Sequence, residues 1–379
     1  MKRRTAQTEQ TKVLGIFVLG VLLQISAAWG EAKVADSGAA RDELPAAAGS
    51  TALEYEMEEV EGTFHRFSHR AMATEFTISV YTPDVDRRRE DFERVVREAF
   101  DVIDDIEARL SRYRPDSQVS YINNRAAQEP VQVSADILDL FDVVQDVHRQ
   151  SKGAFDPTVG PLLKVWGFYR QTGTLPTQEA LDDALTLVGL NKVVIDRENR
   201  TVSFLTKGMM LDFGGVAKGF ALDQASRVLR RHGVDTAALD AGTSTVVVLG
   251  APPGRAGWTV RLRHPYNTER YIATVVLSDV SFSSSGLGER FVEIEGKRYG
   301  HIFDPRSGLP VDGKATAAAL APTGALSDAL STAFFVMGIE DVKAYCRSHP
   351  EVRSIIVPAS ESGDPEPVWI NFPKHEERR

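Results

Sequence analysis

Cysteine is nearly absent: Cys346 is the single one in 379 residues. An intrachain disulfide is therefore excluded, and no cysteine follows the N-terminal apolar run, where a bacterial lipid anchor would attach. Cys346 itself lies in a segment of helical character and reads as a core thiol. Basic charge is also short. Lys and Arg total 44 against 53 Asp and Glu, a net charge of -9, which argues against a broad nucleic-acid surface. Long apolar runs are missing too. The best one, Val13–Ala28, falls short of the about 20 residues that a spanning helix wants.

What remains is ordinary globular material, with 42% apolar and 26% charged residues, enough to bury a sizeable core. Residues 1–30 read as an export signal. Lys2, Arg3, Arg4 and Lys12 precede the apolar run, and Ala28-Trp29-Gly30 offers small residues at a cleavage site. Cleavage is expected rather than retention as an anchor, and it would leave the mature chain more acidic. Residues 31–62, rich in Ala, Gly and Glu, read as a flexible tether. The folded domain is expected over 63–373, with 374–379 as a charged tail.

Within the domain the apolar periods mix long helices with runs of consecutive strands. Alternation predicts a strand over Thr74–Tyr81, and 3.6-residue spacing predicts helices over Phe92–Leu110, Ala135–His148 and Gln178–Val188. Strands are expected at Lys192–Ile195, Thr201–Leu205, Thr236–Asp240, Thr245–Leu249, through much of Trp258–Phe303, and over 315–322. Helices are expected after Gly215 and over Ser327–Met337. That order argues an α+β fold rather than alternating βα units.

Five segments carry chemistry. Leu211-Asp212-Phe213-Gly214-Gly215-Val216-Ala217-Lys218-Gly219 joins a strand to a helix; its glycines let backbone approach a ligand, and the helix start with Lys218 suits a phosphate. The spacing fits neither a P-loop nor a dinucleotide fingerprint. In Ser327-Asp328-Ala329-Leu330-Ser331-Thr332, Asp328 and Thr332 share one helical face. A carboxylate and a hydroxyl there suit Mg2+. Taken alone, Ser327 and Asp328 favour a helix cap and a first-turn acid over a metal site. Tyr299–Gly308 ends an alternating stretch in an Asp-Pro turn and holds His301. Ser151–Gly160 sets Phe155 beside Asp156. Leu110–Ser117 offers Tyr113 for stacking.

Together, in this order, these segments resemble the ApbE-type flavin transferase family, and the likeness runs from Met72-Ala73-Thr74 to Ser327–Gly338. The resemblance implies a single catalytic domain with a T-fold-like core, and transfer of FMN from FAD to a threonine of an acceptor protein outside the cytoplasmic membrane. It places Met72, Tyr113, Ala154, Phe155, Asp156, Asp212, Lys218 and His301 on FAD-contacting positions. It makes Asp328, Thr332 and the Gly215 carbonyl the Mg2+ ligands, with Asp328 and His301 as the catalytic pair. Two departures stand out: Ala73 replaces the usual glycine, and Ala241-Gly242-Thr243-Ser244 replaces a Gly-Gly pair and a polar residue. The same pocket could instead serve water, as an FAD pyrophosphatase yielding FMN and AMP, or bind flavin without turnover.

Overall fold

The computed structural model describes residues 53–55, 63–84, 86–169, 173–242, 244–286, 291–294, 296–360 and 363–373. The expected signal, most of the tether and the charged tail lie outside them.

An eight-stranded antiparallel sheet forms the backbone of the fold. Its strands lie in the order Val368–Ile370, Arg353–Pro358, Lys314–Ala321, Ser281–Gly286, Thr245–Leu249, Ala237–Ala241, Thr74–Thr82 and Thr63–Ala71. Both faces are covered, so the central strands are buried along their whole length rather than alternating with water. On one face, Ala317 and Ala319 join the main core with the helices. On the other, Ala318 and Leu320 meet Trp258, Val260 and Phe282 beneath the three-stranded sheet of Leu53–Tyr55, Trp258–His264 and Asn267–Leu277.

The helices are α1 (Glu90–Leu110), α2 (Gln118–Arg125), α3 (Ala135–Gln150), α4 (Gly160–Val165), α5 (Gln178–Thr186), α6 (Ala217–Arg231), α7 (Gly324–Val336) and α8 (Ile339–Ser348). The stripe read from sequence in α1 is the one that buries: Phe92, Val95, Val96, Phe100, Ile103 and Ile106 all face the core. A satellite cluster of Leu162, Trp166, Phe168, Leu181 and Phe303 anchors α4 and α5 against the segment after Tyr299. The architecture is the α+β arrangement expected from the order of elements.

α7 lies on the sheet through unusually small residues. The strand beneath it reads Lys-Ala-Thr-Ala-Ala-Ala-Leu-Ala, and its neighbour sends Ser281, Ser283 and Ser285 toward the helix. Ser327 Oγ meets Ser281 and Ser283 Oγ at 2.7 Å each, and Ser331 Oγ meets Ser285 Oγ at 2.8 Å. Each of these five serine hydroxyls finds a partner across the seam, so polar side chains can pack as core.

Candidate active site

Two helix starts cross at the centre of the site. The turn after Asp212 delivers the chain into α6, and Thr323 delivers it into α7. Glycine is required on both sides. A Cβ on Gly219 would collide with the Gly324 carbonyl, and one on Gly324 with the Gly219 carbonyl. At this contact each helix caps the other. Asp328 of α7 accepts the Gly219 N–H at 3.0 Å through Oδ2. Asp223 of α6 accepts the N–H groups of Gly324 and Ala325 at 2.6 and 2.9 Å. First-turn N–H groups have no partner within their own helix and sit at its positive end, so a carboxylate from the neighbour satisfies both needs. At Asp223 burial outweighs these bonds and pushes the pKa up to about 6.

The crossing corrects the cap reading of Asp328. α7 starts at Gly324 rather than at Ser327, with Thr323 Oγ1 accepting the Leu326 N–H at 3.3 Å. Ser327 faces the serine seam, and Asp328 caps α6 instead of its own helix. Among the described residues Oδ1 of Asp328 accepts no hydrogen bond, so one oxygen of a buried carboxylate is left for a ligand.

Thr332 stands one turn further along. Its Oγ1 lies 3.3 Å from Ser285 Oγ and 3.4 Å from the Asp328 carbonyl oxygen. It is also 3.0 Å from where a Cβ on Gly215 would stand, with a ring carbon of Phe155 at 3.3 Å from the same point. Only glycine leaves that space open beside the hydroxyl. The structure thus brings Gly215, Asp328 and Thr332 into one neighbourhood with hard oxygen donors and a cradle that any side chain would fill. That donor set fits Mg2+, which takes few protein ligands and keeps positions for phosphate and water. Among the described residues no group of three or more His, Cys, Asp or Glu side chains forms a rival metal site.

The remaining predicted residues divide by what their side chains do. Lys218 is half-buried in the first turn of α6, and its side chain forms no ion pair among the described residues. Tyr113 is 55% exposed, and its hydroxyl accepts from Arg112. Ala154 and Phe155 are buried, Phe155 against Gly215. Asp156 turns inward: Oδ1 accepts from the Thr158 N–H and hydroxyl at 2.8 and 2.5 Å, and Oδ2 from the Leu190 N–H at 3.0 Å. Its carboxylate shapes the loop rather than presenting itself. Asp212 is engaged as well, accepting the Gly214 N–H at 2.8 Å and pairing with Arg112. Met72 and Ala73 form the two-residue hairpin turn, at φ +50° and +60°, and Met72 packs on the main core. His301 is half-buried just beyond the strand Lys297–Gly300, next to Ile302 of the main core. The loop that follows reaches the Phe155 loop, where Arg306 Cγ lies 3.9 Å from the Cβ position of Gly153.

The altered stretch Ala241–Ser244 keeps its indispensable residue. Gly242 has φ +59°, and a Cβ there would overlap the Thr74 side chain. Its N–H donates to the Glu75 carbonyl at 2.8 Å, tying this turn to the Met72 hairpin. Ala241 is buried at a strand end opposite Phe76; Thr243 lies outside the described residues. Sequence reasoning missed Arg112, Asp223 and Ser285 as supports of the site. Each acts through a partner distant in sequence, so no local spacing marks it.

The sequence profile of the ApbE family matches residues 72–356. The FAD:protein FMN transferase of Treponema pallidum is 33% identical over 277 residues, covering 69% of this chain and 76% of that protein. The Klebsiella pneumoniae protein of the same name is 29% identical over 295 residues, covering 77% and 89%. Among solved structures, an ApbE protein from Thermotoga maritima superposes with a TM-score of 0.73 at 28% identity, covering 84% of this chain and all of that one (100%).

Proposed function

This chain belongs to the ApbE family, and on that premise we propose that it is a Mg2+-dependent FAD:protein FMN transferase acting on a threonine of an acceptor protein outside the cytoplasmic membrane. The relatives' names support the transferase activity. The observation that carries the metal and the chemistry is the crossing of α6 and α7, which sets the Asp328 carboxylate on the start of α6 and Thr332, one turn further along α7, beside Gly215.

In this reading the FAD pyrophosphate sits across Gly214–Lys218, where helix N–H groups and the Lys218 ammonium receive negative charge. Asp328, Thr332 and the Gly215 carbonyl would hold Mg2+, which when bound supplies Lewis-acid stabilisation of the phosphoryl oxygens, worth several kcal/mol. Phe155 and Tyr113 border the space for the flavin ring. The acceptor threonine oxygen attacks the FMN-side phosphorus in line, and an oxygen–phosphorus bond forms. The bond from that phosphorus to the AMP phosphate oxygen breaks, and AMP leaves. His301 or a carboxylate of the site takes the hydroxyl proton. Positioning and charge neutralisation do most of the catalysis in phosphoryl chemistry, which is what a rigid helix crossing provides. The export signal read in residues 1–30 supports an exported enzyme, periplasmic or attached to the outer face of the cytoplasmic membrane.

The test is to incubate the protein with FAD, Mg2+ and a candidate acceptor, then denature and separate. Flavin retained on the acceptor with equivalent AMP supports transfer. Free FMN and AMP without an acceptor would make it a pyrophosphatase, and FAD binding without AMP would make it a flavin carrier.

A further inference from the structure

Arg112 belongs to none of the predicted site positions, yet it touches two of them. One terminal nitrogen pairs with Asp212 Oδ2 and the other donates to the Tyr113 hydroxyl. The guanidinium carbon stands 4.5 Å from the Tyr113 ring centre and 5.0 Å from that of Tyr169. Nη1 is 3.9 Å from where a Cβ on Gly214 would stand, so the cation lies against the glycine turn. Among the described residues, its Nε and the Tyr169 hydroxyl are both buried without a hydrogen-bond partner.

The Asp212 side chain is 5% exposed and that of Arg112 15%. Asp212 Oδ1 already accepts the Gly214 N–H, which fixes this carboxylate on the turn proposed to receive the pyrophosphate. Left unpaired there, it would be an uncompensated buried charge and would repel an anionic ligand. Paired with Arg112, it leaves the Lys218 charge uncancelled. The same guanidinium lies over one face of the Tyr113 ring and bonds its hydroxyl, so the ring is braced.

We infer that Arg112 is a positioning residue for the dinucleotide substrate: it neutralises Asp212 on the phosphate-binding turn and braces Tyr113 as a ring platform. The inference rests on the flavin reading of this site. It implies that the harm of losing Arg112 comes largely from exposing Asp212, and that removing the second charge relieves it.

The experiment measures FAD affinity by flavin fluorescence, in Mg2+, for the full chain and for Arg112→Gln, Asp212→Asn and the double variant. Arg112→Gln is expected to weaken FAD binding by roughly tenfold or more, with KM rising while kcat changes less, because a buried carboxylate is left unpaired. The double variant should recover most of that loss. Arg112→Lys keeps the neutralising charge but not the planar brace, so its affinity should be intermediate; it also serves should the glutamine variant not fold. Wild-type affinity in Arg112→Gln and Arg112→Lys, or losses that simply add in the double variant, would overturn the inference. Failure of the wild-type chain to bind FAD would overturn the flavin reading itself, and this inference with it.

Discussion

At φ +60°, Ala73 holds a backbone conformation that glycine adopts freely and an L side chain does not. It is the second residue of a two-residue hairpin turn between paired Ala71 and Thr74, and such turns need positive φ at both positions. Ala73→Gly should therefore raise stability, by about 0.5–1 kcal/mol after the added freedom of the unfolded chain is deducted. Denaturant unfolding checks this, and a loss of stability would contradict it. Asp328 has two separable duties. Asp328→Asn keeps an acceptor for the Gly219 N–H but removes the charge, so the fold should persist while Mg2+-dependent turnover is lost. Asp328→Ala removes the cap as well and should also cost about 1–2 kcal/mol. Unfolding curves paired with AMP release separate the two effects; normal turnover in Asp328→Asn would leave Asp328 only its capping role.

Among the elements, the α6–α7 crossing bears the most weight. Gly219→Ala would drive a methyl group into the Gly324 carbonyl, where backbone on both sides cannot yield. A loss of about 3 kcal/mol or more is expected, with failure of Mg2+-dependent activity following from the displaced Asp328. The same crossing carries a pH signature. Burial raises the Asp223 pKa from 3.8 to about 6, so between those values the folded chain holds a proton that the unfolded chain releases. The contribution of Asp223 to stability is therefore greatest below its unfolded pKa and is lost as pH rises through about 6, by at most about 3 kcal/mol. Measured against Asp223→Asn, the wild-type chain should lose relative stability between pH 4 and pH 7. A pH-independent difference would show that the two N–H bonds, not burial, govern this carboxylate.

Viewed as a whole molecule, the fold was readable wherever an element carries an apolar period or a continuous apolar run. The α1 stripe follows its apolar period closely, whereas the strand Thr74–Thr82 was legible from its alternating sequence although it is buried on both faces from Phe76 onward. α7 was read too short because its serines look like surface or cap residues, whereas Ser327 and Ser331 pair with serines of the adjacent strand. Only tertiary contact can reveal that their hydroxyls are satisfied. The edge strand Thr63–Ala71 carries His65, Arg66 and His69 and gave no apolar alternation to read. In the site, the glycine turn and the Asp328–Thr332 pair were legible because their spacing is local. Asp223 and Arg112 were not, since each serves a partner on another element. Gly242 shows the converse, a position whose necessity comes from Thr74, far away in sequence.

Gly215, Asp328 and Thr332 are proposed to hold one Mg2+ at the helix crossing, and a Mg2+ titration of AMP release tests that most directly. Thr332→Val keeps the volume and helix position but removes the oxygen beside Gly215. The variant should need roughly tenfold more Mg2+ for half-maximal release than the wild-type chain. Superimposable titration curves for the two proteins would contradict the assignment.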